Sequence, residues 1–152
     1  MRWTFSLLIL AAGCAYEVPG EHVALDYYPD EVQAAAAAWE LAVGEAPGCD
    51  LSALRVVVAP PELLKELCGH TTGLTGCHST VPRPRRDFAV VSARHLDEES
   101  EIVAHETMHW LQQCSGRLPD DDPEHADPAV WDSGGALYRA CESLGLGKPS
   151  GY

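Results

Sequence analysis

Residues 87–114 read DFAVVSARHLDEESEIVAHETMHWLQQC, and this stretch decides the fold. Residues 87–92 form a short apolar run that reads as a strand. Residues 97–114 read as a helix. Asp97 or Ser100 can cap it, and Asp97, Glu98, Glu99 and Glu101 lie where the positive end of a helix dipole favours acidic groups. Gly116 marks its end. Ile102, Val103, Met108 and Leu111 can face a core. Inside this helix stands His105-Glu106-Thr107-Met108-His109, an H-E-x-x-H pattern. Helix residues four apart differ by about 40° in azimuth and one turn along the axis, so both imidazoles can address one ion. Glu106 lies beside them and can reach a water in an open metal position. Zinc lowers the pKa of such a water to about 7, within reach of a carboxylate base at neutral pH. Burying ionisable side chains together is costly without a partner, and a metal ion is the natural one.

Outward from this helix, residues 30–43, DEVQAAAAAWELAV, read as another. Asp30 can cap it, the alanine run has high propensity, and Val32, Ala35, Ala36, Trp39 and Val43 share a face. Residues 54–59, LRVVVA, read as a buried strand, with Pro61 opening a short helix after it. Residues 69–86 hold Gly, Thr, Ser and two Pro and read as a long irregular loop. Arg83, Arg85 and Arg86 in it read as a solvated turn. Residues 117–127 are a second loop, with Asp120, Asp121 and Asp122 as a solvated turn. Residues 128–145 read as one last helix, started by Pro128 and stopped by Gly145. The class is α+β.

The chain has 152 residues, 46% of them hydrophobic, which suits one domain. Ten Lys and Arg face 23 Asp and Glu, a formal charge of −13. Such a surface repels phosphate backbones and anionic headgroups, so neither a nucleic-acid partner nor electrostatic docking on lipid is expected. No apolar run approaches the roughly 18 to 20 residues of a spanning helix.

Residues 1–13, MRWTFSLLILAAG, put Arg2 before an apolar stretch and small residues before Cys14, as a secretory signal does. The run Ala11-Ala12-Gly13-Cys14 resembles a bacterial lipobox, with Ala11 where Leu is usual. That resemblance implies a lipidated Cys14 as mature N-terminus, residues 14–22 as a tether, a domain over 23–152, and an outer-membrane lipoprotein of the bacterial envelope. A plain secretory signal that retains Cys14 is the alternative. Export to an oxidising compartment would let cysteines pair. Cys49, Cys68, Cys77, Cys114 and Cys141 remain for the domain, so one stays single or pairs between chains. The expected pairs are Cys68 with Cys77, closing a Gly-rich loop, and Cys114 with Cys141, tying two helices. Sequence alone does not fix connectivity.

The H-E-x-x-H helix with a strand before it resembles the zincin metallopeptidases over about a third of the mature chain. The resemblance implies a small domain in which a short twisted sheet packs on the active-site helix and a C-terminal helix. It implies one zinc per chain, bound by His105, His109 and a later ligand, with Glu106 as general base and a peptide or protein as substrate. It also implies that strand 87–92 lies at the cleft edge and pairs with extended substrate. The third ligand is expected to be His125, 16 residues after His109, because residues 117–125 span up to about 30 Å when extended. Asp127 and Glu142 are the alternatives. Tyr138 reads as core or as an oxyanion donor, and Asp132 as a group that orients a ligand. His70, His78 and His95 read as surface loop residues. The competing classes are a non-catalytic zinc- or partner-binding lipoprotein and a disulfide-stapled module without metal.

Overall fold

A computed structural model of the chain describes residues 29–68, 75–82, 85–92, 99–117 and 125–149. The signal segment, Cys14, the tether, His70, His95, Asp97 and the Asp120–Asp122 turn lie outside the described residues. Helix α1 spans Pro29–Val43, followed by a 3-10 turn at Leu51–Ala53, strand β1 at Leu54–Ala59 and helix α2 at Pro61–Cys68. Strands β2, Gly76–Pro82, and β3, Arg85–Ser92, lead to helix α3, Glu99–Ser115. A one-turn helix α4, Pro128–Trp131, and helix α5, Ala136–Ser143, follow. The mixture of helices with one small sheet is α+β, as the sequence implies. No helix among the described residues is long and apolar enough to cross a membrane.

The sheet order is β1-β3-β2, with β1 parallel and β2 antiparallel to β3. Alternation along β1 divides the core between the two sheet faces. Leu54 and Val56, with Ala89 of β3, join the main cluster of α1, α3, α4 and α5 side chains. Val57 and Ala59 point the other way and pack with Leu63 and Leu64 of α2. Burial on both faces explains why β1 is apolar at every position but the exposed Arg55. In α1 the shared face is confirmed, with Val32, Ala35, Ala36 and Trp39 buried. Ser100 serves as a tie between helices, its hydroxyl donating to Glu31 Oε1 of α1 at 2.7 Å. Helix α3 is buried on nearly all sides between β2, β3, α1 and α5.

The structure corrects four expectations. Residues 76–82 of the supposed loop form β2. Strand 87–92 lies within β3, the central strand, paired on both sides, so β1 and β2 form the edges among the described strands. The last helix is broken. Gly134 takes φ +87°, and a Cβ on Gly135 would come within 2.7 Å of the Val130 carbonyl oxygen, so the Gly-Gly pair turns the chain between α4 and α5. The fourth correction is the disulfide pairing. Cys68 joins Cys77 as expected, but Cys114 joins Cys49, with Cα atoms 5.9 Å apart. Cys141 lies on the core face of α5, fully buried among apolar side chains, and keeps its thiol. The end of α3 instead meets the turn that follows α1.

The Cys49–Cys114 bond closes a long loop, with a sequence separation of 65. Loop-closure entropy for that length is about 4 kcal/mol. Cys114→Ser is therefore expected to lower unfolding stability by about 2–5 kcal/mol in a denaturant titration. Stability within about 0.5 kcal/mol of the parent would show that the bond does not constrain the unfolded chain.

Candidate metal centre

Two consecutive turns of α3 carry His105 and His109, whose Nε2 atoms lie 3.1 Å apart. His125 brings its Nε2 to 3.2 Å from that of His109. The three ligating atoms all lie within 4.8 Å of one another. Two nitrogens bound to one zinc at about 2.0–2.1 Å and the tetrahedral angle would be about 3.3 Å apart, close to the observed spacings. A ring nitrogen carries either one hydrogen or one lone pair, so His109 Nε2 is poorly suited to serve both neighbours by hydrogen bonds. A cation that takes all three lone pairs satisfies the cluster in one arrangement. The group could therefore hold a metal ion.

Local chain geometry places His125. Its φ of +49° is left-handed, a conformation that costs a non-glycine residue about 1–3 kcal/mol unless its surroundings enforce it. Just after it, Asp127 caps α4. Its Oδ1 accepts from the Ala129 backbone N–H at 3.0 Å, and its carbonyl accepts from Val130 and Trp131. Asp127, the second candidate ligand, thus anchors the loop that aims His125. Glu142, the third, is exposed on α5. Neither belongs to the cluster. Tyr138 is half-buried on α5, and Asp132 is exposed where α4 ends.

Glu106 and His105 are each only 5% exposed. Burial, followed by the charges of His109 and His125, pushes the His105 pKa down to about 2. Burial pushes that of Glu106 up to about 8, partly offset by a hydrogen bond from the backbone N–H of His78. In the metal-free chain burial therefore favours the neutral His105 imidazole and the protonated Glu106 carboxyl. A divalent cation nearby reverses the second preference, because it favours the carboxylate.

These two shifts give opposite pH slopes to metal-free stability. His105 binds a proton in the unfolded chain below about 6.5 but not in the folded one, so stability falls with acid below that pH. Glu106 keeps its proton when folded and loses it above about 4.5 when unfolded, so stability falls as pH rises from there to about 8. The slopes oppose each other between about pH 4.5 and 6.5, and above 6.5 that of Glu106 acts alone. Relative to Glu106→Gln, the metal-free parent is expected to lose stability from pH 6.5 to 8, as read by denaturant titration. A flat difference over that range would contradict the burial of Glu106.

Two neighbours were not read as part of the site: His78, read as a surface loop residue, is a half-buried β2 residue, and Trp131 was not singled out. His78 of β2 pairs with Ala89 in register, and its ring stacks on His109 with centroids 5.8 Å apart. Trp131 packs against His105, His109 and His125 with centroids 4.8, 4.6 and 4.5 Å away. The signal for His78 was its position next to Cys77, whose disulfide fixes the start of β2. The signal for Trp131 was its spacing of six residues after His125. Comparison with protein-family models, curated proteins and solved structures finds no match to this chain.

Proposed function

We propose that the chain is a zinc-dependent peptidase of the zincin type. The convergence of His105, His109 and His125 Nε2 atoms beside a buried Glu106 carries this reading. Three imidazoles suit zinc among the common cations, and a three-residue donor set leaves a coordination position open, as catalytic zinc sites do. When bound, zinc supplies Lewis acidity and an acidified water. The three histidines would hold the ion. Glu106 accepts a proton at its carboxylate and returns it to the leaving amine, with the His78 N–H orienting that carboxylate. β2, an edge strand among the described strands whose His78 stacks on His109, takes the place first expected of strand 87–92, that of pairing with an extended peptide.

The test is metal analysis of the purified protein followed by a peptide-library digest with and without chelator. About one zinc per chain and chelator-sensitive cleavage are expected. Zinc without cleavage would move the chain to the non-catalytic binding class, and absence of metal would sink both. We also propose export with a lipid anchor on Cys14. The Cys49–Cys114 and Cys68–Cys77 bonds support an oxidising compartment. Mass spectrometry of the native protein should find a diacyl mass on Cys14, and an unmodified terminus would refute the anchor.

A further inference from the structure

We propose that Trp131 is the positioning residue of the metal centre, its indole capping one face of the histidine triad and holding the three rings in register. The proposal rests on the metal-site reading above, not on the peptidase chemistry.

The four rings form a nearly regular tetrahedral cluster. The imidazole centroids lie 4.8, 5.2 and 5.1 Å from one another. The indole lies 4.8, 4.6 and 4.5 Å from the same three rings. A point so nearly equidistant stands over the middle of the imidazole triangle. At these centroid distances the indole is in ring contact with each of the three imidazoles. The indole is 6% exposed and inclined at 42° to 75° to the imidazoles, so it touches each of them without offering a ligand atom.

Two consequences follow for the histidines. The face beneath the indole is filled, so that side of the ring cluster is closed to water and ions. Each imidazole is also restrained, because swinging its Nε2 away from the others would displace a buried aromatic ring packed against its neighbours. Rotamer order of this kind reduces what the ligands lose on binding a cation. The same short segment supplies both the third histidine and the cap. Asp127 locks the α4 turn through its side chain and carbonyl, which ties Trp131 to His125 as one stiff unit. The Gly134-Gly135 turn then redirects the chain into α5, whose Ala136, Leu137 and Ala140 share the core cluster with Trp131.

Cobalt(II) and zinc titrations of the full chain test this. Loss of groups around metal ligands typically costs about 10–100-fold in affinity. Trp131→Ala is expected to weaken both metals by about that factor and to lose the intense visible absorption of tetrahedral cobalt. Trp131→Phe, which keeps an aromatic plane, is expected to retain the absorption and stay within roughly threefold of the parent's affinity, a small fraction of that loss. If Trp131→Ala does not fold, Trp131→Leu replaces it, with the same expected loss. In the parent, the indole N–H resonance missing from Trp131→Phe should shift when zinc is added. An Ala or Leu variant with the parent's affinity and cobalt spectrum, or an indole resonance that zinc leaves unmoved, overturns the proposal. A parent that binds cobalt but cleaves no peptide sinks the peptidase reading and leaves this one standing. Unchanged metal binding by the variant of an active peptidase sinks this one alone, and a parent that binds neither metal overturns both.

Discussion

Glu106→Gln is expected to retain the parent's zinc content and to lose about 10²- to 10⁴-fold in peptide hydrolysis, the usual share of a general base. Gln matches Glu in shape and can still accept a hydrogen bond from the His78 backbone through its amide oxygen. What it lacks is a site that takes up a proton. Glu106 lies outside the three-nitrogen cluster, so the ligand set is left intact. The measurement is zinc per chain together with kcat/KM on the best peptide from the library. A variant as active as the parent would remove Glu106 from the mechanism. A variant that loses its zinc would show that the carboxylate holds the ion instead.

The second large effect belongs to His125. His125→Ala removes one of three converging nitrogens, and its cost should exceed that of losing a supporting group, so at least about 10²-fold in zinc affinity is expected. His125→Gly should do the same while changing metal-free stability in the opposite direction. Glycine adopts the observed φ of +49° without the penalty that histidine bears, although its unfolded chain is freer. The metal-free glycine variant should therefore match the metal-free parent or exceed it by up to about 1 kcal/mol. Calorimetric zinc titration and denaturant unfolding read the two effects separately. Zinc affinity retained in His125→Ala but lost in Glu142→Ala would reassign the third ligand.

Features that depend on neighbours along the chain were legible in the sequence. The H-E-x-x-H spacing put two imidazoles on one side of α3, and the reach of residues 117–125 allowed His125 to return to them. The apolar run of β1 and the alanine-rich face of α1 announced their burial. Features that depend on neighbours across space were not legible. Gly76–Pro82 contains Gly, Ser, Thr and Pro and carries the signature of a loop, but pairing with β3 makes it a strand. Strand order is not encoded within any one strand, so β3 looked like an edge although it is central. Cys114 had several partners of suitable spacing, and the packing of α1 against α3 selected Cys49. Nothing in the sequence singled out Trp131 within the supposed last helix. Its contact with three histidines required the chain to turn after Asp132, where two glycines interrupt what reads as one continuous helix.

The bond between Cys68 and Cys77 affects how the protein must be handled at the bench. It fixes the start of β2, and the next residue, His78, steadies Glu106 through its backbone. If the chain is the zinc peptidase proposed above, thiol additives routinely included in purification buffers act on it twice, by competing for the ion as soft ligands and by opening the cross-link beside His78. Production in a reducing cytoplasm would yield chains lacking that brace. A phosphine reductant separates the two insults. Activity lost to phosphine should return on reoxidation alone, whereas activity lost to a dithiol should require reoxidation and added zinc.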